Sequence, residues 1–206
     1  MQPDLAGTGL RELGRCAAGP ADGLPQAGQV ILLGPAEPDF WPIFQASVEA
    51  RDGAPDPLDR WSRRVIDGIA DACGAQALYP FGGPPYLPFQ TFATRSGQAW
   101  PSPIRFLVHA EVGLWVSFRG ALLVAEAAAP VTDRLRPCDA CAAPCTTACP
   151  VDAFADGYDV AACKRHINSP AGADCIAQGC RARRACPVGA GLRPAAQARF
   201  HMEAFR

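Results

Sequence analysis

The sequence contains no apolar run approaching the roughly 20 residues of a membrane-spanning helix, so no membrane span is expected. Met1 to Arg15 is polar and broken by glycine, without the apolar stretch of a secretory signal. A one-sided charge is missing too. The net charge is −1 and the mean hydropathy +0.02, which argues against a disordered chain and against a polyanion-coating surface. There is no phosphate-cradling glycine loop, no nucleophile elbow, and no aromatic–basic stripe for nucleic acid. Lysine is almost absent: Lys164 is alone among 19 basic residues, a bias read as genomic composition. These absences leave a soluble chain, expected in the cytoplasm, whose 206 residues make one or two domains.

What is abundant is cysteine. Eight of the ten fall between Cys138 and Cys186, and such crowding in a cytosolic chain points to a metal site rather than a disulfide framework. Charge changes in the same region. Residues 1–133 carry 9 Lys+Arg against 14 Asp+Glu, and residues 134–206 carry 10 against 6. A boundary is therefore placed near residue 133. It separates a loose segment 1–27 and a domain 28–133 from a cysteine-rich module 134–206.

The first part reads as α+β. Gln29–Leu33 is a short apolar run stopped by Gly34-Pro35, the pattern of a buried strand. A helix is expected over Asp39–Ala50. Asp56-Pro57 opens a second, on which Leu58, Trp61, Val65, Ile69 and Cys73 form one apolar stripe up to Gly74. Ala77–Tyr79 is a further strand, and Pro80–Pro88 an irregular loop. Ile104–His109 and Leu114–Ala125 are strand candidates joined as a hairpin through Glu111-Val112-Gly113. The module offers short helices at Val160–Asn168, Asp174–Arg184 and Ala195–Phe205. It has few large apolar residues and would need something else at its centre.

The string Cys138-Asp-Ala-Cys141-Ala-Ala-Pro-Cys145-Thr-Thr-Ala-Cys149-Pro150 has the short spacing that lets three thiolates converge while the fourth turns away. In two-cluster bacterial ferredoxins the cysteine before proline ligates the other cluster. Cys163, Cys175, Cys180 and Cys186-Pro187 supply a second set, and four plus four thiolates suit two [4Fe–4S] clusters. The same rule assigns Cys138, Cys141, Cys145 and Cys186 to one cluster and Cys149, Cys163, Cys175 and Cys180 to the other. Structural zinc also accepts four thiolates; clusters are favoured because Cys-Pro ends both halves. Cys73 is expected to be a buried small hydrophobe. Cys16 sits in the loose segment with no assigned partner.

The segment Phe106-Leu-Val-His109-Ala-Glu-Val-Gly113-Leu-Trp115-Val-Ser-Phe-Arg119-Gly120 resembles CblC-type cobalamin-processing enzymes. Asp56-Pro-Leu-Asp59 and the Val30–Pro42 stretch follow that family's order, and the resemblance covers residues 28–130. It implies a nitroreductase-like fold that binds a corrinoid such as cobalamin, often as a homodimer, and removes its upper ligand reductively. A corrinoid domain followed by a small ferredoxin-like module with two cubanes resembles epoxyqueuosine reductases and reductive dehalogenases. In this chain the cysteine gaps are wider, and no catalytic acid falls on their pattern.

The resemblance carries Arg119 onto an arginine of the ligand pocket, with a sheet-edge cap as the alternative. His109 would face the corrin or serve as a hydrogen-bonded core residue. Trp115 would line the macrocycle or fill the core. Tyr86 belongs to an aromatic loop with Tyr79, Phe81, Phe89 and Phe92, either around a planar ligand or packed on the hairpin. Arg181, Arg183 and Arg184 would dock an electron donor (a reductase or ferredoxin), offset cluster charge, or simply be solvated. The functional expectation is an iron–sulfur protein delivering single electrons to a corrinoid. The alternative is a ferredoxin-type carrier whose first domain binds a partner protein.

Overall fold

The computed structural model describes residues 2–126 and 134–206. The expected boundary at residue 133 lies outside them. In chain order the elements are β1 (Leu10–Ala18), β2 (Gly28–Pro35), α1 (Phe40–Ala46), α2 (Pro57–Cys73), β3 (Gln76–Leu78) and α3 (Phe89–Arg95). There follow β4 (Ala99–Pro101), β5 (Leu107–His109), β6 (Gly120–Val124), α4 (Val160–Ile167), α5 (Ala173–Gln178), α6 (Arg181–Arg184) and α7 (Ala195–Phe205). The class is α+β with antiparallel sheets. Among the described residues no helix is long and apolar enough to cross a membrane.

The chain forms two compact units. One comprises Met1–Gln98 and Ser117–Arg134, the other Ala99–Val116 and Leu135–Arg206. The division differs from the one drawn on composition, because Ala99–Val116 clusters with the cysteine-rich part.

The first unit is built on a four-stranded sheet of order β1-β2-β6-β3. Its two inner strands, β2 and β6, pair from Gln29↔Val124 to Leu33↔Gly120. Val30 to Leu33 and Ala121 to Val124 are buried along their whole length, which is why β2 reads as a continuous apolar run. β1 pairs with β2 from Leu10↔Pro35 to Ala18↔Gly28, with a bulge between Glu12 and Gly14. The segment expected to be loose thus contains an ordered strand, and Cys16 is buried in it.

α2 starts at Pro57 as expected, but Asp56 makes no side-chain cap; its carbonyl accepts from the Asp59 and Arg60 amides. The buried face holds Leu58, Trp61, Ser62, Ile66, Ile69 and Ala70, whereas Val65 and Cys73 are half-buried. Phe40 and Phe44 of α1 meet Trp61 edge-on at 5.3 and 6.0 Å.

The expected hairpin is not formed. β5 pairs with β4, from Ala99↔His109 to Pro101↔Leu107, while β6 joins β2 and β3 in the other unit. Glu111–Gly113 closes only a single bridge between His109 and Gly113. In the second unit the helix expected over Asp174–Arg184 is two helices, α5 and α6, parted at Gly179. Gly179 has a φ of +86° and lies where a Cβ would come within 3.0 Å of Trp115 and Ala198, so the break rests on both conformation and close packing. The apolar centre of this unit is Ile104, Val108 and Leu114 from the first stretch with Cys145, Ala182 and Cys186 from the second.

Candidate metal centre

Short loops and helix ends position the eight cysteines. Cys138 and Cys141 are linked by a turn in which the Cys141 amide donates to the Cys138 carbonyl (3.2 Å). Cys145 is buried in a 3-10 turn, Pro144–Thr146. Cys163 lies on α4, Cys175 is buried on α5, Cys180 precedes α6, and Cys186 is buried just beyond it. All ten cysteines are free thiols.

Cys138, Cys141, Cys145 and Cys186 line one small cavity together with Ser102, Val108 and Leu114. Burial pushes the Cys138 thiol up, and the neighbouring Cys145, Cys141 and Cys186 push it further. Cys145 is likewise raised by burial, then by Cys186 and Cys141, against backbone hydrogen bonds that lower it. Gly113 approaches the same place. A Cβ there would collide with the Val188 carbonyl and stand 3.1 Å from Cys186 Sγ. Glycine lets the 109–116 turn lie against the Cys186 loop.

The remaining cysteines have different neighbours. The Cys163 thiol is raised by burial, lowered by a hydrogen bond from the Tyr158 hydroxyl, and raised by nearby Cys180 and Cys149. Cys175 is raised by burial, lowered by a hydrogen bond from the Arg181 backbone, and raised by Cys180. Backbone amides also donate to sulfur, Ala143 to Cys141 Sγ and Ala153 to Cys149 Sγ, both at 3.4 Å. Among the described residues no three His, Cys, Asp or Glu side chains converge closely enough to hold a single metal ion.

The basic run divides by role. Arg181 Nε donates to Asp174 at 2.7 Å and Arg184 pairs with the same carboxylate. Arg183 turns inward instead. Its guanidinium lies over the Phe106 ring at 4.8 Å, donates to the Leu114 carbonyl at 3.0 Å, and carries its charge close to Cys180 and Tyr158. Tyr158 is held edge-on to Phe106 (5.2 Å) and stacked on Phe154 (5.0 Å). Sequence reasoning missed Tyr158 and Ser102, since a tyrosine and a serine in loops carry no spacing signal.

The four residues considered for a corrinoid fall in both units, two in each. In the first, Arg119 is buried; Nε donates to Ser62 Oγ at 3.0 Å, Nη2 pairs with Asp59, and the guanidinium lies 5.4 Å from the Phe81 ring. Burial lowers the Arg119 pKa and Asp59 opposes that shift. Asp59 and Arg119 come from two separate pieces of the sequence resemblance, and their pairing was not foreseen. Tyr86 is exposed in the Pro80–Pro88 loop. In the second unit His109 is buried and its Nδ1 accepts from the Glu111 and Val112 amides, 3.1 and 3.4 Å, closing its own turn. Trp115 is buried, packs at Gly179, and faces the Arg193 guanidinium at 5.3 Å. Cys16, in β1, is pushed up to about 11 by burial, the character of an inert thiol.

The chain matches no family model, no curated protein and no solved structure.

Proposed function

We propose that the chain is an iron–sulfur electron-transfer protein whose second unit, a ferredoxin-like module, holds two [4Fe–4S] clusters. The observation that carries this reading is the cavity walled by Cys138, Cys141, Cys145 and Cys186. Cys149, Cys163, Cys175 and Cys180 would hold the second cluster. A tetrahedral zinc site, with zinc–sulfur bonds near 2.3 Å, requires thiolates about 3.8 Å apart. The four cysteines of the first set share one cavity, and a cubane takes four thiolates without that close mutual approach. Amide donors to Cys141 and Cys149 suit thiolate sulfurs that carry charge, and the Arg183 cation beside Cys180 offsets some of it. When bound, each cluster would supply reversible one-electron transfer.

The electrons would come from a donor protein, a reductase or ferredoxin. The proposed acceptor is a corrinoid substrate bound by the first unit, read as nitroreductase-like. One electron takes Co(III) to Co(II), and the upper ligand leaves with its bonding pair. Support for the corrinoid comes from the ordered resemblance of residues 28–130 alone. The other reading, in which the acceptor is a partner protein, is favoured by Arg119 being already committed to Asp59 and Ser62.

Anaerobic reconstitution with iron, sulfide and zinc counted per chain, followed by cobalamin titration, tests both parts. About eight irons are expected for two cubanes. Zinc without iron would overturn the cluster reading. Arg119→Ala should weaken cobalamin binding roughly tenfold to a hundredfold, since a charge-assisted contact contributes about 1.5–3 kcal/mol. An iron-replete wild type that binds no cobalamin at high micromolar concentration would leave the partner-protein reading.

A further inference from the structure

The Ser102 side chain lies at the thiol cavity. It is 7% exposed, and it lines the same cavity as Cys138, Cys141, Cys145 and Cys186. Its backbone is fully used: the amide donates to the Phe106 carbonyl and the carbonyl accepts from the Arg105 amide, both at 2.8 Å. Its hydroxyl is buried and has no hydrogen-bond partner among the described residues. A buried hydroxyl left in that condition costs about 1–3 kcal/mol, and such groups are rare in folded proteins. Alanine would fill the same space without that cost. Hydroxyl oxygen can donate one proton, and anionic sulfur is the strong acceptor that this apolar wall otherwise lacks.

We propose that the Ser102 hydroxyl donates a hydrogen bond to a sulfur of the cluster held by Cys138, Cys141, Cys145 and Cys186, and thereby raises its reduction potential. The inference rests on the cluster reading above. A donor to sulfur stabilises the more negative, reduced state, so removing it lowers the potential. Tyr158 is the neighbour of Cys163 in the other set, held there against Phe106 and Phe154.

The test is a redox titration followed by electron paramagnetic resonance on anaerobically loaded wild type, Ser102→Ala and Tyr158→Phe. Ser102→Ala should lower one midpoint and leave the other in place. A threefold to tenfold shift in the reduction equilibrium is expected, roughly 30–60 mV at 59 mV per decade. Tyr158→Phe should move the other midpoint. If Ser102→Ala loads fully and neither midpoint moves, a trapped water is the hydroxyl's partner and the inference fails while the function stands. If both variants move the same midpoint, the assignment to the Cys138 set fails. A Ser102→Ala protein with only about four irons, lacking one cluster signal, would make the residue structural and overturn the tuning role. A wild type that takes up no iron would overturn the function and this inference together.

Discussion

Removing cysteines in pairs distinguishes an exchanged arrangement of ligands from a sequential one. Cys186 is six residues from Cys180 in sequence, yet it shares a cavity with Cys138, Cys141 and Cys145. Cys149 is four residues from Cys145, yet it is a neighbour of Cys163. If these groupings are ligand sets, Cys145→Ala and Cys186→Ala each abolish the same cluster, and the double variant loses nothing more. From about eight irons per chain, each single variant and the double retain about four. The pair Cys145→Ala/Cys149→Ala strikes both sets, and its iron falls to about zero.

A sequential arrangement reverses this pattern. Cys145 and Cys186 would then belong to different clusters and Cys145 and Cys149 to the same one. Anaerobic reconstitution followed by iron counting reads the outcome, and the spectra of the single variants show whether the surviving cluster is intact. The difference between about four and about zero irons exceeds the scatter of partial loading. An iron-free Cys145→Ala/Cys186→Ala protein beside a Cys145→Ala/Cys149→Ala protein that keeps about four would refute the exchanged sets.

Stripping iron with a chelator should remove amide-exchange protection from 135–206 and from Ala99–Val116 together, leaving β2 and β6 protected. Protection of Ala99–Val116 that survives with the first unit would show that the cavity wall does not depend on the cluster. Glu49 is nearly buried, and two hydrogen bonds from Arg64, 2.5 and 3.0 Å, lower its carboxyl to about 2. A depressed folded pKa contributes stability above the ordinary carboxylate range, lost as the pH falls towards 2; with Arg64 half exposed, this is worth about 1–2 kcal/mol. Glu49→Gln should therefore lower the urea midpoint, read from α2 amide signals, at pH 7 but scarcely at pH 2.5, and an equal loss at both would refute the linkage.

Elements whose own residues decide them were legible in the sequence. β2 shows as the buried run Gln29–Leu33 before Gly34-Pro35, and α7 matches Ala195–Phe205 residue for residue. Elements decided by a distant partner were not. β1 is interrupted by Gly14 and carries Arg11, Glu12 and Arg15, so its local pattern is weak; pairing with β2 makes it a strand. The apolar runs Ile104–His109 and Leu114–Ala125 announced two strands, but an apolar run does not name its partner, and β5 and β6 pair in different units. The eight cysteines stood out because thiols at short intervals are rare. Ser102 became visible only through what its hydroxyl lacks.

The placement of Ala99–Val116 follows from what the cysteine-rich stretch cannot supply. Residues 135–206 contribute Cys145, Ala182 and Cys186 to the unit's buried centre, all small side chains. The larger fully buried ones, Ile104, Val108 and Leu114, come from the earlier segment; Trp100 and Phe106 of that segment and Phe154 and Val188 of the cysteine-rich stretch pack beside them. At about 25 cal/mol per Å² of buried apolar surface, three aliphatic side chains contribute several kcal/mol that alanine and thiols do not replace. The Arg183 contacts reinforce this, because its guanidinium is held by Phe106 and the Leu114 carbonyl. Cutting the chain at residue 133 would leave the eight clustered cysteines without Ser102, Val108 and Leu114, which line the cavity with four of them. Part of the apolar wall of the thiol cavity is thus encoded some 20 to 85 residues upstream of the cysteines themselves.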